Sequence, residues 1–381
     1  MALQTLPRPR LVTRPVLLRL VSIAGSAVGF YLPLSVVPML AHSSAGAGLA
    51  TVALLVATVV VELVTPQLVG RIGYRWSLGL GLFLLGAPTV VLAFESSPLA
   101  IIAVSLVRGA GFAVCTVAGG ALTATLIPAE RRGEGLALIG VVSGVTSLIA
   151  LPLGVWAAHR WGFGPVFVAT AAATLLALLS VPGLPARTPA AEGHRGVLSG
   201  LRSPALTRPA LIFAASTTAV GVIVTYLPLA AAGLPAWVAP AALLAQPAAA
   251  TAARWLAGRL GDRRGPARLL TPGILLAAAG TAALALTSSP AAMVTGSLLL
   301  GAGFGVLQNA TLTLMFNRVP AGGENTVSAI WNSAYDLGMA AGAMAAGLIV
   351  GAAGYPATFL LTAALMLPAL PLIRRDRRAA R

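Results

Sequence analysis

The sequence predicts an all-α, polytopic membrane protein, and three observations carry that expectation. Of the 381 residues, 58% are apolar and only 9% charged, whereas a soluble domain carries roughly 25% charge. The apolar residues gather into stretches of about 20, the length that crosses ~30 Å of hydrocarbon as a helix. Period-2 alternation, which a membrane barrel needs, is absent, and lipid leaves no partner for unpaired backbone groups, so helices are the default. This composition excludes a soluble enzyme, a disordered chain and a nucleic-acid-binding protein, despite a formal charge of +16.

Breaking the chain at its charged and Gly/Pro-rich punctuation predicts twelve transmembrane helices, near 16–41, 46–69, 77–95, 98–127, 135–158, 164–182, 208–232, 236–258, 269–288, 291–317, 325–351 and 356–373. The first apolar stretch, Val16 to Leu40, is longer than the 7–15-residue core of a signal peptide. The longest connection, rich in Pro, Gly and Arg, divides the chain. The expected organisation is a six-helix bundle over 1–182, a cytoplasmic linker over 183–207, and a second six-helix bundle with a basic tail over 208–381.

Orientation follows from the basic residues, all 25 of which are arginine. Arg8, Arg10, Arg14 and Arg19 share one side with Arg71, Arg75, Arg131 and Arg132. The linker arginines, Arg259, Arg263, Arg264, Arg268, Arg318 and the tail from Arg374 onward fall on that side too, making 22 of 25. By the positive-inside rule both termini are cytoplasmic, in the cell membrane. The net charge is thus mainly a topology signal, with contact to anionic lipid as the alternative use of the tail arginines. Cys115 is the only cysteine, and His42, His159 and His194 lack metal-ligand spacing, so no intrachain disulfide, metal or cofactor is expected. No loop is long enough for an extramembrane catalytic domain.

An internal repeat emerges at an offset of 192. Gly109-Ala-Gly-Phe-Ala113 recurs as Gly301-Ala-Gly-Phe-Gly305, and Leu68, Arg71 and Gly73 recur as Leu260, Arg263 and Gly265. Pro128-Ala129, Gly162 and Phe167 map in order onto Pro320-Ala321, Gly354 and Phe359. With six spans per copy, both copies enter the membrane in the same sense, which makes the repeat parallel, about a pseudo-two-fold axis along the membrane normal.

Gly258-Arg-Leu-Gly-Asp262-Arg263-Arg-Gly265, followed by Arg268, resembles the loop motif Gly-x-Leu-x-Asp-Arg-x-Gly of the major facilitator superfamily, between spans 8 and 9. The counterpart between spans 2 and 3 keeps Leu68, Arg71, Gly73 and Arg75 but has Gly70 where the family has Asp. Arg108-Gly-Ala-Gly111 in span 4 is similar to a degenerate form of the family's membrane arginine motif. The resemblance covers essentially the whole chain and implies the family's two-bundle fold, working by alternating access. The loop residues would latch the cytoplasmic ends when that gate is closed; the alternative is a basic loop that only sets topology. Drug/proton antiporters of the superfamily commonly carry Gly-x-x-x-Gly-Pro-x-x-Gly-Gly in span 5. Here Gly144 is followed by Val145, and Pro152-Leu-Gly154 comes later, so that signature is broken.

Four ionisable residues fall inside predicted spans: Glu62, Arg108, Arg254 and Asp336. Each costs about 2.5–3.5 kcal/mol at mid-span, so each needs a partner or a water-filled cavity. Asp336, one turn from Asn332 on a shared face, is a candidate for substrate or proton binding, or else for a structural ion pair. Gly338 and Gly342 supply a close-packing stripe beside it. Glu62 is a proton-linked candidate, and its image at offset 192 is Arg254, as a charge pair across the cavity or as two independent gate residues. Arg108 is expected to be buried and, by the resemblance, to tune a nearby carboxylate. Tyr31 and Tyr226 precede Leu-Pro steps that would kink spans 1 and 7, as cavity aromatics or kink-packing residues. Gln308 and Asn309 are candidates for ligand hydrogen bonds or helix contacts, and Gly144 for packing.

These expectations point to a proton-coupled transporter, functional as a monomer in the bilayer, whose partners are a small-molecule substrate and protons. Export of a fairly hydrophobic compound is the first expectation and uptake of a polar or anionic solute the second. No nucleotide-binding loop is present, and a membrane-integral enzyme would need clustered ligands or a nucleophile–base pair that the chain lacks.

Overall fold

A computed structural model of the chain describes residues 12–41, 43–127, 132–185, 202–319 and 324–379. Its regular secondary structure among those residues is helical. The helices are α1 (Arg14–Tyr31), α2 (Val36–Leu40), α3 (Ser44–Gly86), α4 (Pro98–Leu126), α5 (Arg132–Trp161), α6 (Phe163–Leu176), α7 (Pro204–Ala230), α8 (Val238–Arg264), α9 (Leu270–Ala283), α10 (Pro290–Phe316), α11 (Glu324–Met366) and α12 (Ala369–Ala379). Among the described residues, nine segments are long and apolar enough to cross a membrane. The other stretches read from the sequence also fall on helix. Those in α8 are diluted by Gln246, Pro247 and Arg254, and α9 is only 14 residues long. Val327–Asp376 forms one segment of 50 residues that bends at Gly354.

Positive-φ glycines make the tight turns. Gly73 (φ 77°) breaks α3 and Gly265 (φ 80°) ends α8, while Gly162 (φ 85°) and Gly354 (φ 76°) join successive helices elsewhere. This backbone region is open to glycine almost alone. The two pairs lie 192 residues apart, and other local features keep the same spacing. Pro98 and Pro290 open α4 and α10 behind Ser97 and Ser289, whose hydroxyls accept the N–H groups of Ala100 (3.4 Å) and Ala292 (3.3 Å). Gly109 lies against the Leu54 carbonyl and Gly301 against the Gln246 carbonyl; Gly111 meets Leu85 and Gly81, and Gly303 meets Ala277 and Gly273. A Cβ at any of these four would strike backbone, which is how small residues let apolar helices close up in lipid. Buried threonines complete the pattern by donating one turn back: Thr89 to Leu85 O (3.1 Å), Thr281 to Ala277 O (2.8 Å), Thr170 to Val166 O (2.7 Å) and Thr362 to Thr358 O (2.7 Å).

Three details depart from the sequence reading. Leu32-Pro33 breaks span 1 into α1 and α2, whereas Pro228 lies inside an uninterrupted α7, which begins at Pro204, before the expected 208. Arg19, counted with the basic end groups, is 6% exposed within α1 and donates to Gly119 O (3.2 Å), Thr123 Oγ1 (3.1 Å) and Ser22 Oγ (2.7 Å), clamping α1 to α4. The last span stops at Met366 before Leu367-Pro368, and the basic tail begins as the separate α12. There Asp376, 1% exposed, forms a bidentate pair with Arg318 (2.8 Å to each oxygen), and Arg318 also donates to Ala205 O at 3.0 Å. One side chain thereby ties α12 to the adjoining ends of α7 and α10.

Candidate functional site

The site begins with how α4 grips α1. Arg108, near the middle of α4, is 1% exposed, and its Nη2 donates to Gly29 O (3.1 Å) and Phe30 O (3.5 Å), with Nε buried and unpartnered. One turn on, Phe112 stacks on Phe30 with ring centroids 3.8 Å apart. These two residues share a face of α4 and hold the C-terminal end of α1, where Tyr31 stands edge-on to Phe30 at 5.0 Å. The burial expected of Arg108 is present, but its partners are carbonyls. A small cavity beside it is lined by Leu34, Pro38, Ala50, Thr51, Leu54 and Ser105, among others.

Glu62 projects from α3 one turn beyond Thr58, whose hydroxyl donates to Leu54 O (2.9 Å) and Gly109 O (3.2 Å) and fixes α3 against α4. Asp336 comes from α11. The two carboxylates, 274 positions apart in the chain, lie within electrostatic range of one another, and the hydroxyls of Tyr31 and Tyr335 lie within range of Asp336. Among the described residues no ion pair joins either carboxylate to Arg108 or Arg254. Asn332 sits one turn before Asp336 and is exposed, while Trp331 and Tyr335 are partly exposed.

Rings from α7, α10 and α11 form an aromatic group that includes Tyr335, the neighbour of Asp336 in sequence. Phe213 of α7 stacks on Trp331 at 4.4 Å and 11°, and Phe304 of α10 stacks on Phe213 at 5.7 Å. Tyr335 closes the group, 6.5 Å from Trp331 and 6.1 Å from Phe304. The Trp331 indole N–H donates to Thr311 Oγ1 at 3.2 Å, which fixes the ring plane. Sequence reasoning singles out neither Phe213, Phe304, Trp331 nor Phe112. The available signal is the spacing of Trp331 and Tyr335, one helical turn apart and each directly before Asn332 and Asp336.

The remaining candidates are dispersed. Arg254 is exposed on α8. Nearby on that helix, Arg259 lies over the Trp255 ring at 3.9 Å. Asn309 approaches Gly258, which fits a helix contact, and Gln308 is half-buried on α10. Gly144 faces open space, with nothing within 4 Å of where a side chain would begin, so its expected packing role is absent. Gly338 and Gly342 do pack, against Thr217 and Thr218 of α7.

Tyr226 is not a cavity wall. It is 0% exposed, and its hydroxyl reaches Ser44 O (2.7 Å) and Ala343 O (3.0 Å). It belongs to a junction between the helices preceding the long connection and those following it. Thr51 Oγ1 and Thr225 Oγ1 share a hydrogen bond of 2.9 Å there, and Ser44 Oγ donates to Gly347 O at 3.3 Å. Gly48 and Gly347 permit the close approach, because a Cβ on either would meet the Tyr226 hydroxyl and facing backbone. These junction residues lie at the arginine-poor ends of α3, α7 and α11.

The arginine-rich ends differ. Gly70 and Gly265 have open space around them, and Arg71 and Arg263 are exposed. Arg75 donates through Nε (2.9 Å) and Nη2 (2.6 Å) to Leu184 O, anchoring the segment after α6 to α3. Arg268 is exposed and engaged with neighbours. The Asp262 side chain lies outside the described residues. Arg75 thus bonds within its own set of helices, and the latch expected of Asp262 falls outside the described residues.

The family model described as Major Facilitator Superfamily matches residues 19–343. A multidrug resistance protein, MdtG of Klebsiella pneumoniae (strain 342), is 28% identical over 262 residues, covering 65% of this chain and 63% of that protein. A chloramphenicol resistance protein of Streptomyces lividans is 29% identical over 238 residues, 60% of each. The chain thus spans under two thirds of the length of these curated relatives. In three dimensions, the crystal structure of the nucleoside transporter NupG superposes with a TM-score of 0.75 over 96% of this chain and 99% of that one, at 14% identity, which is a likeness of fold.

Proposed function

We propose that this chain, which belongs to the major facilitator superfamily, is a proton-coupled secondary transporter that exports a small, fairly hydrophobic compound by alternating access. The observation that carries the proposal is that Glu62 and Asp336, drawn from separate sets of helices, lie within electrostatic range of one another, with no ion pair from either to Arg108 or Arg254 among the described residues. Carboxylates held together away from bulk water readily exchange protons, because each charge disfavours the other. A site made by both sets is also disturbed whenever one set rocks against the other, so protonation and access become linked.

In this proposal twelve spans form two six-helix halves, 1–182 and 208–381, joined by the linker 183–207. The matched turns, caps and glycine contacts 192 residues apart support that arrangement. The arginine-rich ends face the cytoplasm of the cell that bears the protein in its plasma membrane, with both termini on that side and one chain as the working unit. The junction around Tyr226 is then the closed outer gate. The names of the resistance-associated relatives favour export. Uptake of an anion with Arg108 as counter-charge is less well supported, since that guanidinium serves α1 carbonyls.

The test is a toxic-compound panel in a pump-deficient host, with wild type, Glu62→Gln and Asp336→Asn at matched membrane levels. Transport is then measured in proteoliposomes under an imposed proton gradient. Resistance conferred by wild type alone, with gradient-driven flux lost in both variants, is the expected result. Full gradient-driven flux in both variants overturns the coupling assignment, and sensitisation by wild type overturns export.

A further inference from the structure

The two sets of helices end alike in packing and differently in charge. At the offset of 192, Ala369, Ile373 and Asp376 of α12 correspond to Ala177, Val181 and Leu184 after α6. All six are buried, so the correspondence holds to the end of both sets. The outward positions do not match: Arg374 and Arg375 stand where the first set has Pro182 and Gly183, and all four are exposed. The first set closes its last turn without arginines there, so the fold itself does not require them.

The buried face of α12 decides which way its arginines point. Asp376 holds Arg318 through both oxygens, Arg318 holds Ala205 O, and α12 packs against α7 and the turn at 266–269. Arg374 and Arg375 are left on the opposite face with Pro371, and the helical repeat puts position 378 there too. The acid next to them in sequence, Asp376, is already spent on Arg318. Exposed Arg202, just ahead of α7, adds positive charge at this end. The last span brings the whole face to the membrane surface: it ends at Met366, and Leu361, Leu365 and Leu367 are exposed just before α12. In a bilayer such leucines meet acyl chains, and headgroups lie where the apolar run stops. An arginine stem can reach that level, and its planar fork binds phosphate through two N–H groups.

We propose that the outward face of α12, through Arg374 and Arg375, binds the phosphate headgroups of anionic phospholipids. The partner is a lipid surface and not a soluble anion, because the arginines follow directly on exposed leucines at the end of a span. This goes beyond the transport reading and does not depend on it. Since Asp376 and Arg318 tie α12 to the ends of α7 and α10, headgroup binding also braces those ends. The attraction is electrostatic and weakens as salt is raised.

The experiment titrates the full chain in detergent micelles with dioleoylphosphatidylglycerol or dioleoylphosphatidylcholine. Bound lipid is read by native mass spectrometry, and stability by thermal melting. Tighter binding of the anionic lipid is expected, with a higher melting temperature and a preference that fades as salt is raised. Arg374→Gln with Arg375→Gln should weaken phosphatidylglycerol binding roughly tenfold or more. Arg374→Lys with Arg375→Lys should keep the preference for the anionic lipid, which separates lost charge from a damaged helix. Arg14→Gln with Arg71→Gln, a pair exposed at the arginine-rich end of the first set, should leave binding nearly unchanged. Equal binding of the two lipids, indifference to the glutamine pair on α12, or an equal loss from the Arg14 and Arg71 pair overturns the proposal. Displacement of the lipid by millimolar inorganic phosphate overturns it as well, because the site would then belong to a soluble anion.

Discussion

The two ends of the helix bundle are built from the same kinds of residue and behave differently. At the arginine-poor end, Gly48 and Gly347 bring α3 and α11 into backbone contact, and Tyr226 fills the junction with its hydroxyl between two carbonyls. At the arginine-rich end, Gly70 and Gly265 meet nothing, Arg71 and Arg263 are exposed, and Arg75 donates to Leu184 O within its own set of helices. Small residues permit close approach, but closure needs a facing surface that accepts it. The arginine-rich end carries like charges on both faces, which repel unless acids intervene. The absence of an Asp at Gly70 removes one such acid.

The largest expected effect at the arginine-rich end comes from Asp376→Ala. It strands Arg318, whose side chain is 17% exposed, and should destabilise the packing of α12 by about 3 kcal/mol. A lower detergent melting temperature, restored by the double variant with Arg318→Met, checks it. Next, Gly48→Val at the opposite end places methyl groups against the Ala343 carbonyl and the Tyr226 hydroxyl. Overpacking of about 1–3 kcal/mol should open that junction. A Thr51→Cys reporter would then react faster with an impermeant maleimide, while Cys115, 3% exposed, stays silent. Gly73→Ala and Gly265→Ala should each cost about 1–2 kcal/mol, and by similar amounts, since their φ angles are 77° and 80°. Unequal costs would break the correspondence between the two turns. The smallest change is Tyr226→Phe, about 1 kcal/mol, read as a severalfold rise in labelling of the same reporter.

Much of this architecture is legible in the sequence because lipid imposes a length and a polarity on every crossing segment. The offset of 192 is legible because turn glycines and helix-opening prolines cannot be replaced freely. The buried state of Arg108 follows from its depth in a span. What stays hidden depends on which face of a helix points inward. Hydropathy does not encode this when neighbour and lipid are equally apolar. Phe213 and Trp331 meet, and Glu62 and Asp336 come within electrostatic range, through the packing of distant segments, and no local pattern announces such pairs. Tyr226 is ambiguous for the same reason: a tyrosine before Leu-Pro has the same spacing whether it lines a cavity or seals a junction. The Arg318–Asp376 pair stays hidden because an arginine-rich tail reads as a count of positive charges, which leaves its one acid without a role.

That pair bears on how the protein can be handled. Asp376 lies close to the C-terminal end of the described chain, yet it is the buried counter-ion of an arginine at the far end of α10. A tag or deletion that begins at or before Asp376 would remove a structural part of the bundle. A fluorescent fusion used to count molecules in membranes should therefore follow Arg381 through a flexible spacer, or expression yield will report the damage done by the junction.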